Sequence, residues 1–127
     1  MLAKFSSAKL PAQPTEHAPD GSEVRSLLSL AGGSMAHFRL AAGAASKAVC
    51  HRSVDELWFV LAGQGEMWRR QGEREEEIEL GPRLCLSVPA GTHFQFRARG
   101  SGALAAVAVT MPPWPGADEA VFVTGPW

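Results

Sequence analysis

Residues 43–63, with the sequence GAASKAVCHRSVDELWFVLAG, decide the fold prediction for the whole chain. In an extended strand, side chains two positions apart point to the same face of the sheet. Counting with that period places Glu56 and Trp58 on one face, and it places Val49 and His51 together on the strand before. The stretch therefore predicts two strands that direct a histidine and a carboxylate toward the same side.

The segments on either side of this stretch repeat the pattern of short apolar runs between turns. Glycine and proline supply the turn signals, as at Gly81-Pro82, and no window keeps the helical spacing of apolar residues over three turns. Strand-length runs at regular spacing are typical of an all-β sandwich or barrel. Examples of these runs are MAHFRL at 35–40, LCLSV at 84–88 and LAAVAVT at 104–110.

The length of 127 residues is that of one domain. Prolines and the pair Asp20-Gly21 interrupt residues 1–23, which predicts an irregular N-terminal arm. Residues 24–111 form the predicted barrel. Residues 112–127 are proline-rich and are expected to pack as a tail on the barrel or on a partner.

The charge and the hydropathy pattern of the chain limit which classes of molecule it is expected to bind. The chain has 12 basic and 13 acidic residues, largely interspersed, so nucleic acid and anionic membranes are not expected as partners. No apolar run approaches the roughly 20 residues that cross a bilayer, and the N-terminus lacks the apolar segment of a secretory signal. The expected location is the cytoplasm.

Two motifs carry a family resemblance. Gly43, His51, Glu56 and Gly63 resemble the first motif of the cupins, in which glycine, H-x-H, glutamate and glycine follow at fixed intervals. The segment VPAGTHFQFRARG at 88–100 resembles the second cupin motif.

The segment TMPPWPGADEA resembles the tail of a subgroup of small, single-domain bacterial cupins. The resemblance implies a single-domain double-stranded β-helix, the jelly-roll barrel of the cupins. It also implies a homodimer, since cupins are commonly dimeric.

The resemblance further implies one divalent transition metal, namely Fe, Mn, Ni, Cu or Zn, held by two histidines and the glutamate of the first motif and by a histidine of the second. This chain has Val49 at the first histidine position and Phe94 at the last, with His93 one residue early. The predicted metal ligands are His51, Glu56 and, if the register of its strand shifts by one residue, His93. A third donor from His37 on another strand is the alternative to His93.

Two functions stay open at this point. In the first, the chain is a small-molecule-binding protein with a degenerate metal site, and His51 and Glu56 act as polar contacts in the barrel. The apolar wall of the predicted pocket consists of Val49, Trp58, Phe94 and Phe96, although such side chains also simply fill small barrels. In the second, the chain is a metal-dependent oxygenase, isomerase or lyase that uses His51, Glu56 and a third histidine.

The opposite face of the tryptophan-bearing strand is also apolar. Leu57, Phe59 and Leu61 alternate with the inward residues, so a further layer must cover them. A second sheet layer, the N-terminal arm or a second subunit would each serve. Of these three, we predict a second subunit, so that the chain forms a homodimer.

Overall fold

The computed structural model describes residues 2–127, which form two antiparallel β-sheets and one short 3-10 helix at Ala117–Glu119. No helix of this part of the chain is long and apolar enough to cross a membrane. The strands are β1 (Glu16–His17), β2 (Glu23–Leu30), β3 (Gly33–Leu40), β4 (Val49–His51), β5 (Asp55–Ala62), β6 (Gln64–Gln71), β7 (Arg74–Leu80), β8 (Cys85–Val88), β9 (His93–Arg99), β10 (Leu104–Met111) and β11 (Ala120–Phe122). The all-β prediction is confirmed.

The strand order identifies the barrel as a jelly roll. One sheet has the order β1-β2-β3-β10-β5-β8, and the other has the order β11-β4-β9-β6-β7. Strands β9 and β10 each lie between strands that come far earlier in the chain, which is the crossed connectivity of a double-stranded β-helix. The core lies between the sheets, and its largest fully buried side chains include Val60, Met67 and Phe96.

Strand β5 shows why the chain folds this way. Glu56, Trp58 and Val60 are buried, whereas Leu57 and Phe59 on the alternate positions are 52% and 46% exposed. The neighbouring strand β10 has the same alternation, with buried and partly buried residues in turn. Period-two patterning therefore sets which side chains enter the barrel, as predicted.

The two glycines of the first motif have different physical roles. Both have positive φ, +76° at Gly43 and +84° at Gly63, which residues with a Cβ rarely adopt. A Cβ at Gly63 would also collide with the backbone oxygen of Ala103, whereas a Cβ at Gly43 would meet open space. Of these two motif glycines, Gly63 is the one that allows close packing between backbone segments.

Both terminal segments contribute to the sheets. In the predicted arm, β1 pairs with β2 at Glu16↔Val24, and β2 begins at Glu23, one residue before the predicted boundary. In the predicted tail, β11 pairs with β4. Past β11, the Gln95 side chain donates to the Trp127 carbonyl at 2.8 Å and accepts from the Trp127 N–H at 3.1 Å, which fixes the tail against β9.

Candidate ligand pocket

A cavity of about 270 Å³ opens between the two sheets, near the small end of the range of ligand pockets. Side chains from strands of both sheets form its inner wall. The loop between β1 and β2 and the segment 114–120 border it from the two ends of the chain. The inner wall includes Phe38, Val49, His51, Glu56, Trp58, Phe94, Ala108 and Thr110.

The two polar residues at the centre of the cavity wall are His51 and Glu56. They lie at the end of one strand and near the start of the next. Strand β4 ends at His51, residues 52–54 turn, and Glu56 is the second residue of β5. The two side chains are only 8% and 3% exposed, and His51 Nδ1 lies 3.2 Å from Glu56 Oε2. The contact does not have hydrogen-bond geometry, so Nδ1 is a buried polar atom without a hydrogen-bond partner in the described part of the chain.

The second oxygen of Glu56 has a partner on its own strand. Trp58 Nε1 donates to Glu56 Oε1 at 2.6 Å, since residues two apart on β5 face the same side. The Trp58 ring stacks on Phe38 with centroids 5.6 Å apart and planes 1° from parallel. The Glu56 carboxylate therefore contacts an aromatic surface that stacking keeps ordered.

Further rings surround the imidazole of His51. Phe94 and Trp114 both contact it edge-on, with centroids 5.2 and 5.1 Å away. Trp114 is itself held in place, because its backbone N–H donates to Ser34 Oγ at 2.9 Å.

The structure corrects one member of the predicted apolar wall. Phe96 packs behind Trp58, with centroids 5.0 Å apart, and it does not line the cavity. Phe94, Trp58 and Phe96 all belong to the hydrophobic core cluster, but of the two phenylalanines only Phe94 also lines the cavity.

The structure also corrects the predicted third metal ligand. His93 precedes Phe94 on β9, and because neighbouring strand residues face opposite sides, its side chain is directed away from the cavity that Phe94 lines. His37 lies opposite Arg25 in the register of β2 and β3, on the face of β3 that points away from Phe38. Burial, together with the Arg25 charge, lowers the pKa of His37.

The donor set does not fit a transition-metal site. Catalytic sites usually use three protein ligands and structural sites four, but only His51 and Glu56 of the predicted ligands come together. Within residues 2–127, no group of three or more His, Cys, Asp or Glu side chains could hold a metal ion.

Sequence reasoning missed a second acidic group in the cavity wall. Asp20 lies in the loop between β1 and β2, lines the cavity and is 9% exposed. Its Oδ1 accepts hydrogen bonds from Ser22 N at 2.9 Å and from Ser22 Oγ at 2.7 Å. Burial raises the pKa of Asp20 and the Glu56 charge adds to this, against the opposing effects of the Ser22 bonds and of His51.

Sequence reasoning also missed the residue that fixes the turn between His51 and Glu56. Glu119 is buried and accepts hydrogen bonds from the backbone N–H and hydroxyl of Ser53 and, at 2.8 Å, from the N–H of Val54. Burial acts to raise the pKa of Glu119, but these hydrogen bonds outweigh it and the pKa is lowered. No local signal in the proline-rich tail indicates this contact, which forms only when β11 pairs with β4.

A two-sheet jelly roll whose motif side chains enter an internal cavity defines a barrel protein of the cupin class. A family model described as "Cupin domain" matches residues 36–110, and the chain belongs to this family. The predicted family resemblance is confirmed, while membership of the subgroup with the TMPPWPGADEA tail stays a prediction.

Solved structures share the fold at low sequence identity. A Bacillus halodurans protein aligns with a TM-score of 0.67 and 21% identity over 73% of this chain and 72% of its own. KdgF from Halomonas sp. aligns with a TM-score of 0.64 and 18% identity, over 79% of this chain and 85% of its own.

The capsular polysaccharide assembling protein CapF from Staphylococcus aureus has a TM-score of 0.70 and 13% identity over 80% of this chain, which spans only 32% of CapF. No curated protein matches this chain in sequence. These similarities establish the fold alone.

Proposed function

We propose that this protein binds a small organic molecule in the barrel cavity, with His51 and Glu56 as the polar contacts and Val49, Trp58 and Phe94 as apolar wall. The observation that carries the proposal is the buried, unpartnered Nδ1 of His51 beside the cavity. An unsatisfied buried polar atom costs about 1 to 3 kcal/mol. A bound molecule that hydrogen-bonds to this atom would remove that cost.

The wall chemistry supports the same function. Aromatic and aliphatic side chains form most of the inner surface, and a few polar groups converge on one side, which is the composition of small-molecule sites. Trp58 is held by both its hydrogen bond to Glu56 and its stacking on Phe38, so the surface is ordered before a ligand arrives. Such preorganisation lowers the entropic cost of binding.

Binding of neutral aromatic probes tests the proposal. We expect saturation-transfer NMR to detect benzyl alcohol, phenol or indole bound to the wild-type protein, and we expect His51→Phe to weaken that binding at least fivefold. His37→Phe is the matched control, because His37 lies outside the cavity. Absence of binding by all three probes, or equal loss in both variants, would contradict the proposal.

The metal-dependent oxygenase, isomerase or lyase is the alternative function, and it needs a third donor beside His51 and Glu56. Elemental analysis of protein purified without added metal, compared with His51→Ala, distinguishes it from the binding function. A near-stoichiometric ion that His51→Ala loses would favour the enzyme. An ion present in neither sample would exclude it.

A second copy of the chain is the proposed partner, which would cover the outer face of β5. Leu57, Phe59 and Leu61 are 52%, 46% and 44% exposed there, and Val109 and Val107 of β10 lie opposite the first two. Adjacent apolar residues on one sheet face are typical of homodimer interfaces. A cytoplasmic location and the lack of a nucleic-acid partner stay predictions.

A further inference from the structure

The charge of the cavity lining indicates which class of molecule it accepts, given the proposed binding function. Among the residues that the structure describes, the lining includes the carboxyl groups of Glu16, Asp20 and Glu56 but no lysine or arginine. A ligand carboxylate or phosphate would thus enter a low-dielectric site next to like charge and without a permanent cation. Such burial of an unpaired anion costs several kcal/mol by general estimates.

Within residues 2–127, Glu56 itself has no permanent cationic partner. Its contacts are the neutral indole N–H of Trp58 at Oε1 and the unaligned imidazole of His51 at Oε2. Buried carboxylates are normally paired with a cation as well as hydrogen-bonded. A cationic ligand group would supply this missing partner.

The unpartnered imidazole nitrogen points to the same kind of group. Nδ1 of His51 and Oε2 of Glu56 lie 3.2 Å apart without a hydrogen bond between them, so in the tautomer with Nδ1 unprotonated both are acceptors that lack a donor from residues 2–127. An ammonium group has three N–H donors and no acceptor, and it can donate to two acceptors at once. A carboxylate or an ether has no proton to donate to either atom.

The surrounding rings add to the preference for a cation. Phe38, Trp58, Phe94 and Trp114 all line the cavity, and the negative face of an aromatic ring attracts an ammonium or alkylammonium group. From these observations we infer that the cavity selects a small organic primary or secondary amine in its protonated form, bound by Glu56 and His51 with Asp20 nearby, and that it rejects organic anions.

A series of probes that differ only in charge tests this inference. Isothermal titration calorimetry at neutral pH compares benzylamine, benzyl alcohol and benzoate, which share one ring and one substituent position. We expect benzylamine to bind at least tenfold tighter than benzyl alcohol, and benzoate to bind more weakly than either. Benzoate or benzyl alcohol bound as tightly as benzylamine would overturn the inference and leave the proposed function standing, whereas no binding by any probe would overturn both.

Substitutions of the two cavity carboxyl groups then test which residues produce the preference for the amine. Glu56→Gln and Asp20→Asn keep side-chain volume, and each should reduce the ratio of benzylamine to benzyl alcohol affinity at least threefold. Glu23→Gln is the control, because Glu23 pairs with Arg39 outside the cavity. An unchanged ratio in Asp20→Asn and in folded Glu56→Gln, or an equal change in Glu23→Gln, would overturn the assignment. Should Glu56→Gln fail to fold by circular dichroism, Asp20→Asn alone decides the result.

Discussion

Trp58 Nε1 donates to Glu56 Oε1 at 2.6 Å from the same face of the same strand. Among the residues that the structure describes, this bond gives the buried carboxylate its one well-aligned partner, and the ring that makes it also forms part of the cavity wall. Structural stability and the proposed binding function therefore depend on the same side chain.

Replacing the Trp58 indole should measurably lower the stability of the fold. Trp58→Phe leaves a buried carboxylate oxygen without its donor, so we expect a loss of about 1 to 3 kcal/mol in the free energy of unfolding, measured by urea denaturation. Trp68→Phe is the matched control: Trp68 makes a bond of the same 2.6 Å length to Glu75, which is exposed. Equal losses in the two variants would show that burial of the acceptor does not matter.

The Glu119 contact predicts a pH-dependent stability. Because folding lowers the pKa of Glu119 below its ordinary value of 4.5, its stabilising effect is complete above 4.5 and is lost as the pH falls through the folded value. Glu119→Gln should thus lower the free energy of unfolding by about 1 to 3 kcal/mol at neutral pH. The difference from wild type should shrink on acidification, and a difference that stays constant below pH 4.5 would contradict the prediction.

The raised pKa of Asp20 predicts the opposite dependence of stability on pH. Its pKa is raised above 3.8 in the folded protein, so ionisation of Asp20 destabilises the fold as the pH rises through the folded value. Asp20→Asn keeps an oxygen for Ser22, and we expect it to unfold at the same or a higher temperature at neutral pH. Asp20→Ala, which removes the acceptor, should melt lower than Asp20→Asn. A lower melting temperature for Asp20→Asn than for wild type would contradict the sign.

The two motif glycines predict unequal costs for the same substitution. Gly43→Ala and Gly63→Ala both put a Cβ at positive φ, which costs about 1 kcal/mol. Gly63→Ala must in addition move the backbone at Ala103, so it should destabilise by a further 1 to 3 kcal/mol, roughly as overpacking does. Denaturation midpoints compare the two, and a Gly43→Ala cost equal to or above that of Gly63→Ala would be inconsistent with this packing.

The proposed dimer is tested on the outer face of β5. Leu57→Lys combined with Phe59→Lys should shift the mass measured by sedimentation velocity from dimer to monomer, because lysine ammonium groups would be buried unpaired in the interface. Leu30→Lys is the control, since Leu30 is exposed on a different strand. A wild-type protein that sediments as a monomer at micromolar concentration would refute the dimer.

Local periodicity explains which parts of the fold and site could be predicted. The alternation on β5 predicts that Glu56 and Trp58 enter the barrel and that Leu57 faces outward, and the structure has this arrangement. The same rule applied to β9 directs His93 away from the cavity that Phe94 lines, so the prediction of His93 as a metal ligand, which needed a shifted register, was wrong. Such predictions need only the strand direction of neighbouring residues.

Contacts that close the barrel could not be predicted in this way. Asp20 and Glu119 come from segments rich in turn signals, where no period fixes the direction of a side chain. Their positions depend on pairing between distant strands, β1 with β2 and β11 with β4. Phe96 has the same orientation as Phe94, yet only Phe94 lines the cavity, and spacing along one strand does not show where a cavity ends.

The border of the cavity comes from residues 16–20 and 114–120, whereas its floor comes from the central strands. Substitutions of lining residues such as Pro19 or Ala117 can thus change the border of the cavity without changing the side chains that the central strands place in it. In a protein built this way, selectivity at the entrance can diverge during evolution while the interior chemistry stays fixed.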